Sequence, residues 1–488
     1  MKVAIWGIDR GIVVWEKMGM AMGHRGDEQQ GLFVPYTQLP KSDGHPFYEA
    51  LGRILSEHEF DRFVEGLCAK YYARKMGRPG LAPGIYFRCL MVGYFEGIDS
   101  ERGIAWRADD SLSLRRFIGV AIGNATPDHS TISRTRRLIS TETHQQVFTW
   151  ILSVVAESGL LRGKTLGVDG TTLEANAAMR SIVRRDDGRT YQDFLTDLAK
   201  SSGVATPTRD DLARMDRKRK GRKTSNADWE SPIDPDAQVT KMKDGRTHLA
   251  HKQEHAVDMD SGAVVAVTIH GAAEGDTSTV MKTLEKAEEI LAEVRESLGG
   301  EESKKPEKKP KEIVGDKGYH SKMVLTALNV AGYRTYIAEP KRGRRNWDGD
   351  NHAREATYGN RRRIRGARGR RIMRQRGELV ERSFAHNLET GGMRRTHLRC
   401  HDNILKRMLV HVAAFNLSLV MRARFGIGKP RALQGRRALI EAILAAFEPL
   451  WSLLSRLLRL PPLLPAQPAP PVGPVARPWA LYTGAAAF

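Results

Sequence analysis

Cysteine is scarce in this chain of 488 residues. Cys68, Cys89 and Cys400 are odd in number, widely spaced and form no Cys-x-x-Cys pair. That usage supports neither a disulfide framework nor a cysteine-built zinc cluster, and it fits a reducing cytoplasm. Long apolar runs are missing too. The N-terminal stretch is broken by Asp9 and Arg10 before it reaches the length of a secretory core. Ala438 to Leu460 is rich in Leu and Ala, but Glu441, Glu448, Pro449, Arg456 and Arg459 interrupt it well below a spanning length. It reads as one or two packing helices, so no membrane attachment is expected. Acidic residues are also in deficit: 57 Asp and Glu face 78 Lys and Arg, a formal charge of +21 with a pI near 9.9. Such an excess is too lopsided for an ordinary metabolic enzyme, and the simplest reason to carry the self-repulsion is a polyanionic partner, nucleic acid.

What is present falls into two patterns. Phe47 to Leu55, Phe60 to Arg74, Pro83 to Phe95, Ser111 to Ile118 and Thr141 to Ser158 carry apolar residues at three and four spacing and are expected to be helices. Within that block Thr126-Pro-Asp-His-Ser-Thr-Ile-Ser-Arg-Thr-Arg-Arg reads as a capped helix start followed by a basic face with Arg134, Arg136 and Arg137. A helix-turn-helix gripping DNA and a plain helical bundle with a solvated basic face both fit it. From Gly163 the period turns to strands: Leu166 to Leu173, Thr247 to Val257 and Ala263 to His270. A helix follows Asp276. Strand Ile313 to Gly315, helix Lys322 to Ala331 and strand Arg334 to Ala338 then complete a three-strand, helix, strand, helix, strand order. Glu301 to Lys311 between them is a solvated loop.

That order is compatible with an α/β ribonuclease-H-like fold, a mixed sheet with covering helices, preceded by an all-helical N-terminal domain. The expected division is an extension over 1–30, the helical domain over 31–160, the catalytic domain over 161–425 and a final segment over 426–488. An insertion with little periodicity occupies about 178–246. From Pro461 the Pro- and Ala-rich sequence builds no core and is expected to be disordered.

Three carboxylates stand in settings that suit one metal site. Asp169 ends the run Lys164-Thr-Leu-Gly-Val-Asp, Asp316 ends Glu312-Ile-Val-Gly-Asp, and Glu381 lies in the helical stretch Gly377-Glu-Leu-Val-Glu-Arg-Ser-Phe-Ala-His. Two strand-end acids and one helix acid can hold two Mg²⁺ or Mn²⁺ ions against a phosphate backbone. Glu378, three residues earlier on the same helix, competes with Glu381 for the third place. Taken singly, each acid also fits a plain turn or a surface ion pair.

These residues resemble the DDE transposases of bacterial insertion sequences. The resemblance rests on Leu166-Gly-Val-Asp-Gly-Thr-Thr-Leu-Glu-Ala-Asn-Ala, Gly315-Asp-Lys-Gly-Tyr-His, Leu379-Val-Glu-Arg-Ser-Phe-Ala-His, Gly391-Gly-Met-Arg-Arg and Asn416-Leu. It extends to His45-Pro-Phe-Tyr and Gly93-Tyr-Phe-Glu-Gly-Ile-Asp-Ser-Glu-Arg-Gly-Ile-Ala-Trp, so that it runs from about residue 25 to 430. It implies Asp169, Asp316 and Glu381 as catalytic metal ligands, two divalent ions, and cleavage at the terminal inverted repeats of a mobile element with joining to target DNA. It also implies at least a homodimer on DNA and a cytoplasmic, nucleoid-associated place. The alternatives are a catalytically silent DNA-binding regulator and a nuclease that cuts without joining. A related pattern puts tyrosine and arginine seven and four residues before the glutamate and lysine seven after it; Arg374, Gly377 and Leu388 stand there instead. Family members commonly carry alanine at the place of Gly170 and glycine at that of Cys400. A cysteine there carries a cost if the backbone needs positive φ.

Residues 341 to 376 hold 14 Lys or Arg against Asp348, Asp350 and Glu355, a net of +11 and about half of the chain's excess. Arg361, Arg362, Arg363, Arg365, Arg368, Arg370, Arg371 and Arg374 are therefore expected to bind phosphates beside the cut. A solvated charge run is the alternative. Trp347 stacks on an unpaired base or is a partly buried aromatic, the second reading being preferred. His129, His248, His251, His255 and His320 show no zinc spacing. His251 and His255, four apart in a strand, share one face and read as sheet-surface histidines.

Overall fold

The computed structural model describes residues 44–73, 80–218, 226–242, 245–299, 305–341, 343, 346, 347 and 349–432. The expected N-terminal extension, the Leu- and Ala-rich stretch after Ala438 and the Pro-rich tail lie outside the described residues.

The first half is helical. Its helices are α1 (Pro46–Glu57), α2 (Phe60–Cys68), α3 (Pro83–Glu96), α4 (Glu101–Asp109), α5 (Leu112–Ile118), α6 (His129–Leu138) and α7 (Thr141–Glu157). Most starts are written in the sequence. Pro46 sits in the first turn of α1, and Ser100, Ser111, Asp128 and Ser140 accept backbone N–H bonds at the heads of α4, α5, α6 and α7. The helix expected to reach Arg74 stops at Cys68 and passes into a tight turn, Ala69–Tyr71. α3 is buried along nearly its whole length, with Tyr86, Phe87, Leu90, Met91 and Tyr94 inside, and forms the centre of this bundle.

The second half is built on β1 (Thr165–Glu174), β2 (Val183–Arg184), α8 (Tyr191–Ser201), α9 (Arg209–Lys218), β3 (Trp229–Glu230), β4 (Gln238–Lys241), β5 (Thr247–Asp258), β6 (Val264–Gly271), α10 (Asp276–Ser297), β7 (Glu312–Gly315), α11 (Lys322–Val330) and β8 (Arg334–Ile337), followed by α12 (Asn351–Arg365), α13 (Ala367–Ala385) and α14 (His401–Phe425). β1 lies at the middle of the main sheet, antiparallel to β5 and parallel to β7, and β7 is parallel to β8. β6 pairs with β5, and so does β4, through a hairpin closed at Met242 and Arg246. β4 corrects the expected insertion: its last part belongs to the sheet, and four residues were too few to show a strand period. The rest of that stretch gathers around a small core of Ala175, Ile182, Trp229, Ala237, Val239 and Leu249.

β5 is buried on both faces, which explains its polar side chains. Glu254 accepts hydrogen bonds from Thr279 and Thr283 of α10, while on the opposite face the ring of His255 stacks on Phe384 of α13 with centroids 4.2 Å apart. His251 and His255 are thus interior residues, not sheet-surface ones. The cause is a sheet covered on both sides. Burial pushes the imidazole of His255 down to about 3, so it is neutral at any ordinary pH.

α14 packs against α3, α7 and β6 and so ties the bundle to the sheet. Its length and hydropathy match those of a membrane span, but 94% of that window is buried inside the protein. Within α14 the Asn416 amide accepts from the Val264 N–H (2.9 Å) and donates to the Val264 carbonyl (2.8 Å), as a neighbouring strand would. At the other edge Asn360 of α12 does the same to Ile337 of β8, at 2.9 and 2.8 Å. Each amide supplies the partner that a buried edge peptide needs.

The head of α14 is unusual. Cys400 has φ +67° and ψ 140°, a region in which a side chain is strained and glycine is not. Its N–H donates to Asp234 (3.1 Å), and that of His401 to Asp236 (2.8 Å), so two aspartates from a distant loop cap the helix. The glycine expected at this place is the conformationally correct residue. Cys400→Gly should raise the melting temperature, by an equivalent of about 1 kcal/mol once glycine's own entropy is subtracted; an unchanged or lower melting point would show that the loop relaxes the strain.

Candidate active site

The parallel register sets Val168 of β1 beside Gly315 of β7. Asp169 and Asp316 therefore come next in line on adjacent strands, one in mid-strand and the other just past a strand end. α13 crosses β1 and β7 and brings Glu381 to the same place. All three line one cleft of about 770 Å³. A slightly larger cavity, about 820 Å³, lies among α1, α2, α3 and α5, where Arg88 pairs with Asp61 and Arg116 with Glu49.

Each acid is held differently. Asp169 takes its own neighbour's Gly170 N–H on one oxygen (2.9 Å) and the Arg376 guanidinium on the other (2.8 Å). Burial raises its carboxyl above the usual range, Arg376 opposes that, and the Asp316 charge adds to it. Asp316 caps the turn Lys317–Tyr319, with one oxygen accepting the Gly318 N–H at 2.7 Å. Glu381 is exposed on the cleft side of α13. Glu378 is turned elsewhere: it pairs with Arg382 at 2.5 Å and lines a separate hollow with Asp260, Arg371 and Arg374. The donor set of the cleft is made of carboxylate oxygens, which suits hard divalent cations such as Mg²⁺ or Mn²⁺. A buried carboxylate already drawing in a guanidinium is a fitting partner for such an ion.

The arginine-rich segment is ordered as α12 and α13, and its arginines divide into two sets. Arg361 makes a two-point bond to Glu339 (2.7 and 2.6 Å), Arg363 bonds Thr335 through its carbonyl and hydroxyl, and Arg368 reaches Glu312 at 2.5 Å. These three fasten α12 and α13 to β7, to β8 and to Glu339 just beyond it, so their guanidiniums are engaged within the protein. Arg362, Arg365, Arg370, Arg371 and Arg374 are exposed. Arg374 lies two helical turns before Glu381 but lines the hollow of Glu378 and not the cleft. In the bundle Arg134 and Arg137 are exposed, but Arg136 is buried in an ion pair with Glu101, which removes it from the expected basic face. Trp347 is partly buried against Tyr358, with ring centroids 5.9 Å apart.

Arg376 was missed as a site residue by sequence reasoning, although it sits five residues before Glu381 in a charge run. Asp276, which also lines the cleft, and Lys252, paired with it at 2.7 Å, were missed as well, because nothing local marks them. Away from the cleft, ligand atoms of Asp234, Asp236 and Cys400 lie within 4.8 Å of one another. Their aspartates already serve backbone amides and the His251 ring (3.1 Å), which makes the group a helix cap.

A mixed sheet in the order described, with neighbouring strand acids beneath a helix acid, defines a ribonuclease-H-like catalytic domain. Two family models match the chain: a transposase domain over residues 36–138 and a transposase DDE domain over residues 204–417. The chain belongs to the DDE transposases. The second match takes in Asp316 and Glu381, while Asp169 lies ahead of it. No curated protein and no solved structure matches the chain. Transposases of this family act on DNA and generally use divalent metal ions.

Proposed function

We propose that this transposase cuts the ends of an insertion sequence and joins the freed 3′ hydroxyls to target DNA, with Asp169, Asp316 and Glu381 holding two divalent cations. The observation that carries this reading is the convergence of these three carboxylates from two adjacent strands and a crossing helix on one cleft. Bound there, Mg²⁺ or Mn²⁺ would neutralise the scissile phosphate and acidify the attacking hydroxyl. The chain's own residues do the positioning. Asp169 is fixed by the pleat of a central strand, and Arg376 helps keep its buried carboxyl ionised before any cation arrives. Asp316 is restrained through one oxygen, which leaves the second for a ligand. Glu381 reaches in from above, on a helix fastened to the sheet by Arg368.

DNA is the partner that the exposed arginines fit. Arg362, Arg365, Arg370, Arg371 and Arg374 would track the backbone beside the cut, with Arg134 and Arg137 as a second contact on the bundle. Two element ends must meet, so at least two copies act together on DNA. Incubated with duplexes carrying the element's ends, a plasmid target and Mg²⁺, the protein should give joined products. Nicks alone would make it a nuclease, and tight binding without cutting a silent regulator.

The arginine assignment has its own test. Arg362→Ala, Arg365→Ala and Arg371→Ala together should weaken binding to all sequences alike and flatten the plot of log affinity against log salt by about one unit per lost phosphate contact. An unchanged slope would place the DNA elsewhere. Arg361→Ala, Arg363→Ala and Arg368→Ala should instead lower the melting temperature.

A further inference from the structure

A fourth acid, Asp276, lines the cleft with Asp169, Asp316 and Glu381. It opens α10, a helix whose N-cap, Gly275, makes no side-chain cap. One of its oxygens, Oδ1, pairs with the Lys252 ammonium at 2.7 Å. Lys252 is held in turn: it is nearly fully buried, donates to the Thr279 hydroxyl at 2.9 Å and lies 3.6 Å from Glu254. Glu254 is itself fixed by Thr279, Thr283 and the Tyr319 hydroxyl. The lysine thus has a buried carboxylate of its own, and pairing with it uses only one oxygen of Asp276.

The other oxygen, Oδ2, points at Gly318. A Cβ at that position would collide with Asp276 Oδ2 and stand 3.0 Å from Asp316 Oδ1. Two carboxylates from different elements therefore converge over one glycine, and glycine is what makes their approach possible. This accounts for the Asp-Lys-Gly-Tyr stretch as a unit: the aspartate is a ligand, the glycine admits Asp276, and the tyrosine anchors the network that holds Lys252. Other charged residues at the rim are matched among themselves, Arg394 with Glu389 and His248 beside Glu174 at 4.0 Å. Like charges brought this close are costly without a cation between them.

We propose that Asp276 is a fourth carboxylate of the metal-binding cleft, giving an oxygen to the cation held by Asp316, with Lys252 orienting it. The proposal rests on the metal-site reading of the cleft given above. Its test uses the full chain without DNA and Mn²⁺ alone, with free Mn²⁺ followed by electron paramagnetic resonance. Asp276→Asn should weaken at least one bound Mn²⁺ tenfold or more while the melting temperature in EDTA stays that of the parent, and Glu378→Gln should change nothing. Unaltered Mn²⁺ affinity in a folded Asp276→Asn overturns the proposal. Asp169→Asn separates the two levels: if it abolishes Mn²⁺ binding while Asp276→Asn does not, only the fourth ligand is lost, and if neither has an effect, the metal reading of the cleft falls as well. Asp276→Cys guards against a variant that does not fold. A thiol in place of a ligand oxygen should shift preference from Mn²⁺ towards Cd²⁺ relative to the parent chain, a change that a merely structural aspartate would not produce, and no shift overturns the proposal.

Discussion

Asp169→Ala, Asp316→Ala and Glu381→Ala are each expected to lower Mg²⁺- or Mn²⁺-dependent cleavage and joining by a thousandfold or more, roughly 4 kcal/mol of barrier. Binding to the same DNA ends should change by no more than a few fold if, as proposed, the phosphate grip comes from arginines and not from acids that repel the backbone. Asp169 needs care. Its removal leaves Arg376, which is mostly buried, without the carboxylate it now pairs with, so a fall in stability could be mistaken for a loss of chemistry. Asp169→Asn keeps the shape and a hydrogen-bond acceptor and should be equally inactive while melting close to the parent. Glu378→Ala is the internal control, since its side chain faces Arg382 and another hollow. An active Glu381→Ala beside a dead Glu378→Ala would move the third ligand by one helical turn.

Asn416→Ala should destabilise the fold by about 2–4 kcal/mol. The change strips partners from both the N–H and the carbonyl of Val264, a residue with no solvent access, and each buried backbone group left unsatisfied costs about 1–3 kcal/mol. Asn416→Asp should be no better. It restores an acceptor for the N–H, but it turns a charge towards the carbonyl oxygen in a fully buried site. Thermal and urea unfolding followed by circular dichroism measure both variants. A shift within about 0.5 kcal/mol of the parent, the range of a neutral surface change, would mean that the amide is ornamental.

Much of this architecture is legible in the sequence alone, and what is legible there is local. Helix starts at Ser111, Asp128 and Ser140, the long strands around Asp169 and Glu254, and the order of elements from β5 to β8 depend on spacing and on caps within a few residues. The three acids were legible for the same reason, since each belongs to a short run whose period marks it as strand or helix, although β1 runs on to Glu174 and leaves Asp169 in mid-strand. What escaped depends on partners far away in the chain. Arg136 looks like a surface arginine until Glu101 is set beside it, and nothing near Arg361, Arg363 and Arg368 in the sequence announces their partners Glu339, Thr335 and Glu312. His251 and His255 alternate as surface residues should, and only the second covering layer makes them interior. Asp276 reads as a helix opener because its carboxylate neighbours lie near residues 169 and 316. A four-residue strand such as β4 is too short for any period to show.

The asparagine at residue 360 also bears on how copies of this protein can come together. The far edge of β8 is used up: Asn360 takes both peptide groups of Ile337, and Arg363 takes the carbonyl and the hydroxyl of Thr335. A short edge closed by side chains offers no template for strand addition. For the two copies proposed to meet on DNA, extension of the sheet through β8 is therefore disfavoured, and any pairing across that side would run over helices or over the DNA itself.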